Sequence, residues 1–164
     1  MKRRFTRVHG NCGFTLIELI VTVAIVGILA GAAFPMMDLV VTRQREIELQ
    51  TALRQIRTAI DAYKSAWDEG RIPRQIGRSG YPKSLGELVN GVTDAKDVQR
   101  ANIYFLRRIP RNPMSAEPGV SAEATWGKRS YASPPDSPRE GDDVFDVYSP
   151  GQGVGLNGIP YREW

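Results

Sequence analysis

Beyond Cys12 the chain has no cysteine, and beyond His9 it has no histidine. Downstream of residue 12 there is therefore no disulfide framework, no thiolate or imidazole metal ligand, no cysteine nucleophile and no histidine base. Charge is missing from one long stretch as well: from Phe14 to Met37 the one ionisable residue is Glu18. Proline is scarce early, with Pro35 alone before Pro73, so regular structure is expected first and turns later. No low-complexity bias appears. At 41% hydrophobic and 24% charged residues the chain is not of disordered composition, and 164 residues allow one domain plus an anchor but not two sizeable cores.

The net charge of +4 suggests an acidic partner until its position is read. Lys2, Arg3, Arg4 and Arg7 account for the whole excess of 22 basic over 18 acidic residues. Positive charge ahead of a first apolar segment holds that end in the cytoplasm. No basic–aromatic patch stands out downstream, so nucleic acid is not an expected partner.

As a helix, residues 14–37 rise roughly 36 Å, enough to cross a ~30 Å hydrocarbon core. A secretory signal would explain the basic start, the apolar stretch and the small residues Ala30-Gly31-Ala32. It leaves Glu18 opposing insertion by up to ~2.5–3.5 kcal/mol. A lipoprotein signal ending at Cys12 fails on order, because the apolar stretch follows the cysteine. A plain anchor explains the length and gives Glu18 no role.

Gly13-Phe14-Thr15-Leu16-Ile17-Glu18-Leu19-Ile20-Val21 resembles the processing site of type IV pilins and type II secretion pseudopilins. It has Gly before the cut, Phe after it, Glu at the fifth mature position and an apolar helix beyond. The resemblance implies removal of residues 1–13 by a prepilin peptidase, N-methylation of Phe14, and an assembly role in which Glu18 neutralises the Phe14 amine of a neighbouring subunit. A carboxylate in an apolar setting needs such a partner, and the Phe14 amine of the same chain, at helical spacing, is the alternative to a neighbour's. Read alone, Glu18 is a side chain snorkelling at the interface. Gly27 and Gly31 form a Gly-x-x-x-Gly pair that permits close helix approach, with chance as the equal alternative. Pro35 is expected to loosen the helix at the membrane exit.

The apolar pattern continues past residue 37. Leu49, Leu53, Ile56, Ile60, Tyr63 and Trp67 recur at spacings of three and four, with Ala52 and Ala59 in the same stripe. This predicts an amphipathic helix over 38–70 with one buried face and Gly70 as its C-terminal cap. A cleaved signal needs no such continuation, which is the main argument against the secretory reading.

Residues 71–164 complete a small periplasmic α+β domain with that helix. Ser84 is a candidate N-cap with Glu87 three residues on. Ile103-Tyr104-Phe105-Leu106 is a short apolar run, and Pro110, Pro113 and Pro118 mark an irregular loop. Trp126–Ala132 and Val144–Ser149 read as strands separated by a proline-rich turn. This order is similar to that of the major pseudopilin of type II secretion, whose Gly-rich loop usually carries calcium-binding aspartates. Here Gly151–Gly158 has none. Asp142, Asp143 and Asp146 lie upstream, and their preferred reading is a solvated acidic turn, so calcium is disfavoured.

The expected fold is α+β: one long N-terminal helix, apolar in its membrane half and amphipathic in its second half, packed on a small antiparallel sheet with irregular loops. The expected function is that of a structural subunit of a type II secretion pseudopilus in the inner membrane, polymerising with other pseudopilins on a secretion platform. The alternatives are a minor pilin, a type IV pilus or DNA-uptake subunit, and a secreted periplasmic binding module. No catalytic or metal residue is assigned, and an enzyme is the least supported reading.

Overall fold

The computed structural model describes residues 13–164, with the side chains of 32–36 outside the description. The expected leader, apart from Gly13, lies outside the described residues. Helix α1 runs over Leu16–Asp68. It begins where the Thr15 side chain caps it: the Glu18 N–H donates to Thr15 Oγ1 at 3.3 Å. It ends at Gly70, whose φ of 73° supplies the left-handed turn expected there. The Gly70 N–H reaches the Trp67 carbonyl and the Arg71 N–H the Ala66 carbonyl, each at 2.9 Å, so late carbonyls of the helix are satisfied.

The chain divides into two compact units, one up to Val41 and one from Thr42 onward. In the first unit the described large apolar side chains are uncovered, from 78% exposure at Phe14, just before α1, and at Leu16 to 47% at Val21. Among the described residues no helix is long and apolar enough to cross a membrane. The apolar stretch with described side chains stops at Gly31, and 16–31 rises only about 24 Å. The α1 assignment continues through Pro35, whose side chain lies outside the description.

The second unit is built on the stripe read from the sequence. Leu49, Leu53, Ile56, Ile60, Tyr63 and Trp67 are all buried, and the rest of the unit packs over them with Ile72, Leu85, Leu88, Trp126, Val144, Val147 and Tyr161. Helix α2 is Leu85–Asn90. Strands β1 (Val92–Thr93) and β2 (Asn102–Ile103) pair antiparallel, as do β3 (Gly127–Arg129) and β4 (Asp146–Tyr148). The sheet component is thus two short ladders, with Lys128 opposite Val147 in the second. The second ladder lies within the two segments read as strands, whereas the first joins Val92–Thr93, which the sequence did not mark, to the start of the 103–106 run; the α+β class stands.

The apolar run 103–106 is irregular for most of its length, and the capping expectation for α2 differs. Only Ile103 of the 103–106 run is in a strand. Tyr104 is 64% exposed, while Phe105 packs on Tyr63 with ring centroids 5.3 Å apart. Both the Phe105 and the Leu106 N–H donate to the Leu88 carbonyl, which holds this segment to α2 instead of to a longer ladder. Ser84 does occupy the N-cap position of α2, but its hydroxyl does not cap the helix. The Leu85 N–H donates instead to Glu123 Oε1 at 3.1 Å, from 38 residues away. Glu87 turns elsewhere, accepting from the Lys83 N–H at 3.0 Å and the Tyr63 hydroxyl at 3.3 Å. Burial first, then the Glu87 charge, raise the Tyr63 pKa to about 12, against an opposing effect of Arg78.

The link after α1 is fixed by an ion pair. Arg71 Nη2 and Nε donate to Asp94 Oδ2 at 2.6 and 2.9 Å, and the Lys96 N–H donates to Asp94 Oδ1 at 3.0 Å. The Arg71 hydrogen bonds, followed by the Lys96 amide, hold the Asp94 carboxyl below its ordinary range. The unfolded chain then binds this proton more readily than the folded one. The stabilisation is present above about pH 4, the ordinary Asp value, and is lost as pH falls through the lower folded value.

Two outcomes are expected for the intact chain in detergent. Ile56→Ala lowers stability by about 2–5 kcal/mol in urea unfolding, because a fully buried side chain leaves a cavity. Asp94→Asn is less stable than the parent at neutral pH and shows a shallower loss of stability on acidification below pH 4.

Candidate functional site

Two regions carry the chemistry, one in each unit. In the first, Gly13 and Phe14 precede α1 and are exposed. Thr15 and Glu18 stand at capping-box spacing. Glu18 lies in the first turn of α1, where the partial positive charge of the helix N-terminus favours a carboxylate. Among the described residues its carboxylate has neither an ion-pair nor a hydrogen-bond partner, although its own N–H is held by Thr15. Capping and any intermolecular role are compatible, since they use different atoms. Among the described residues, a β-carbon placed on Gly27 or Gly31 meets nothing within 4 Å.

In the second unit the Gly-rich segment is ordered by protein contacts. Glu46, only 8% exposed on α1, accepts at Oε1 from the Leu156 N–H at 2.7 Å and from the Tyr161 hydroxyl at 3.0 Å. Burial, then the Glu46 hydrogen bond and charge, push the Tyr161 hydroxyl pKa up. Three turns along α1, Arg57 donates to Asp146 at 2.8 Å, to the Val147 carbonyl at 3.1 Å and to the Trp164 backbone oxygen at 2.7 Å. Between these grips the segment folds on itself. Val154 bridges Pro160, the Gly155 N–H meets the Ile159 carbonyl at 2.9 Å, and the Tyr161 and Trp164 rings pack edge to face. The glycines allow this: a β-carbon at Gly155 would come within 2.5 Å of the Trp164 ring, and one at Gly153 within 2.8 Å of the Tyr161 ring.

Of the three carboxylates offered as calcium ligands, Asp143 and Asp146 are engaged and Asp142 is exposed. Asp146 is paired with Arg57 at 2.8 Å and Arg129 at 3.3 Å. Asp143 accepts from the hydroxyls of Ser79 and Ser130 and from the Tyr131 N–H. Burial pushes its carboxyl up, but these three donors together with the Arg78 charge outweigh burial and leave it below the ordinary range. Asn157 Oδ1 accepts from the Ile159 N–H at 3.0 Å. Among the described residues no group of three or more acidic, sulfur or imidazole side chains is arranged to hold a metal. Asp142 and Asp143 do border a cleft of about 570 Å³, which the sequence did not reveal, lined also by Arg78 and Arg139. With its oxygens occupied by three donors, Asp143 acts there as a structural acceptor.

Sequence reasoning missed a buried hub in the proline loop. Asn112, 2% exposed, donates from Nδ2 to the Thr125 carbonyl and to Ser149 Oγ, and accepts at Oδ1 from the Met114 N–H. Trp126 Nε1 donates to the Pro110 carbonyl at 2.8 Å beside it. The spacing Pro110-x-Asn112-Pro113 was the available signal, since Asn commonly bonds the backbone of its own turn.

Residues 9–34 match the family model of the prokaryotic N-terminal methylation motif. Type II secretion system core protein G of Dickeya chrysanthemi is 27% identical over 154 residues, which is 89% of this chain and 92% of that one. Type IV major fimbrial protein FimA of Dichelobacter nodosus is 41% identical over 122 residues, covering 69% of this chain and 75% of its own. Fimbrial protein Q of Moraxella bovis is 31% identical over 124 residues, covering 72% and 70%. The chain belongs to the type IV pilin and type II secretion pseudopilin family. No solved structure matches it. The methylation-motif match contains Gly13, Phe14, Glu18, Gly27 and Gly31 of this pilin-family subunit.

Removing the Glu46 grip has a measurable consequence. Glu46→Ala is expected to lower the stability of the second unit by about 2–4 kcal/mol, through loss of two hydrogen bonds to one charged acceptor. Amide hydrogen exchange at Leu156 should rise more than at Val147, which β4 holds independently.

Proposed function

We propose that the chain is a structural, non-enzymatic subunit of a type II secretion pseudopilus. Residues 1–13 are removed by a prepilin peptidase at the cytoplasmic face, and Phe14 becomes the N-methylated first residue. The apolar segment 14–37 spans the inner membrane while the domain from Thr42 onward occupies the periplasm. Subunits then leave the bilayer and polymerise through α1 on the inner-membrane secretion platform. The observation that carries the assembly reading is the uncovered apolar first half of α1, with a carboxylate at Glu18 in its first turn that has no partner among the described residues. Surface of that kind needs lipid or other subunits over it. The choice of a secretion system is supported by the extent of the match to the Dickeya chrysanthemi protein.

Cutting before Phe14 creates an α-amine whose ordinary pKa is about 7.7–8.0, so it is largely protonated at neutral pH. Seating it against Glu18 of a neighbour compensates two charges that would each be costly alone among apolar helices. Gly27 and Gly31 offer a flat stripe for close helix approach, and Pro35 is assigned to loosening α1 at the membrane exit. A type IV pilus subunit is the second reading, favoured by the FimA and fimbrial protein Q likenesses. The domain is proposed to fold without calcium, with the Glu46 and Arg57 grips ordering the segment.

Three measurements test this. The mass of the mature N-terminal peptide from bacterial membranes should correspond to a start at Phe14 plus one methyl group. A start near Ala33, or an intact Met1, would remove the reading. Glu18→Ala should be processed normally yet yield filaments reduced on the order of 100-fold or more, since breaking a buried pair costs about 3–5 kcal/mol. Parental filament levels in that variant would remove Glu18 from assembly. Thermal melting should be unchanged by chelator, and a clear drop in Tm would restore the calcium reading.

A further inference from the structure

The outward face of α1 in the second unit is flanked by two surfaces of opposite charge. On one flank, α1 and the segment 105–113 enclose a continuous groove of two adjoining clefts, about 580 and 450 Å³, which share Thr51 and Gln55. Its floor is apolar or small, with Ile47, Ala59 and Ala62 from the helix and Ile109 and Pro113 from the loop. Its charged rim holds Arg54, Arg108 and Arg111, all exposed, against the single acid Glu48. Arg111 is held in place by the backbone oxygens of Val120 and Glu117.

The other flank carries the loop 133–143. Asp136, Glu140 and Asp142 are exposed on it, Arg139 is its one basic residue, and Pro134 and Pro135 are exposed beside them. Pro135 and Pro138 of this loop line a cleft together with Arg57 of α1. Gln55 and Arg57 are two positions apart, which places them about 160° from each other around the helix axis. Basic groove and acidic loop therefore lie on opposite flanks of one helix and face away from each other within a single copy.

From this placement we infer that the groove docks the acidic proline loop 133–143 of a second copy of the chain. The charges are complementary, and prolines meet an apolar floor. Such a loop also enters a groove with little entropy to lose, because its prolines already restrict the backbone. Because donor and acceptor surfaces differ and point in opposite directions, the contact is heterologous and propagates instead of closing a dimer. The inference rests on the subunit reading above and names the lateral contact that reading leaves open.

The test uses the full-length chain in bacterial membranes with Cys12→Ser as background, since the rest of the chain has no cysteine. Gln55→Cys and Ser137→Cys are both at exposed positions and are made in separate copies that are co-expressed. Mild oxidation should give a mixed disulfide dimer that neither variant gives alone. Adding Arg54→Glu with Arg108→Glu to the first copy should cut the yield roughly tenfold, as like charges then meet. Adding Asp136→Lys with Asp142→Lys to the second copy as well should restore it to within about twofold. Filaments recovered by shearing without the mixed disulfide would overturn this contact and leave the subunit reading intact. A mixed disulfide with the same charge dependence but without filaments would uphold the contact and sink the polymer reading.

Discussion

Burial of one stripe of α1, from Leu49 to Trp67, is the interaction on which the second unit depends. The two ladders pair only two and three residues each, and isolated two-stranded ladders are marginal in water. They persist because Val147, Trp126 and Leu88 reach the same helical face. Helix α2 has six residues, too few to hold itself, and borrows its cap from Glu123. The helix is thus the template, and the remaining elements are short pieces of chain laid against it.

Where secondary structure is so sparse, buried and half-buried polar side chains take over the work of fixing backbone. Asn112 satisfies the proline loop, Asp143 gathers Ser79, Ser130 and the Tyr131 amide, and Asp94 with Arg71 closes the link after α1. Each sits at a crossing of segments distant in sequence. Each meets the requirement that buried polar groups find partners, which longer ladders would otherwise satisfy. The Gly-rich segment follows the same rule, with Glu46 accepting from the Leu156 amide and the Tyr161 hydroxyl.

What the sequence disclosed divides along this line. The N-terminal methylation motif, the α1 stripe, the Gly70 stop and the pairing segments of β3 and β4 were legible, because each is a local pattern of composition or period. The partners of Glu46, Arg57, Asn112 and Glu123 were not, because each is separated from its partner by long loops that carry no period. Ser84 illustrates the limit: a correct capping position with the wrong capping atom, since the competing carboxylate lies far along the chain. Thr15 and Glu18 illustrate the reverse. Their spacing was readable as a capping box but was absorbed into the more specific motif around them.

The two grips on the C-terminal segment have a mechanical meaning. Glu46 and Arg57 are eleven positions apart on α1, roughly 16 Å along its axis, and both hold the segment that folds back over them. Sliding α1 lengthwise past the rest of the unit would load these hydrogen bonds together, in shear, instead of peeling them one by one. Bonds loaded in parallel share the force, so the segment serves as a cross-brace between the helix and the body it carries.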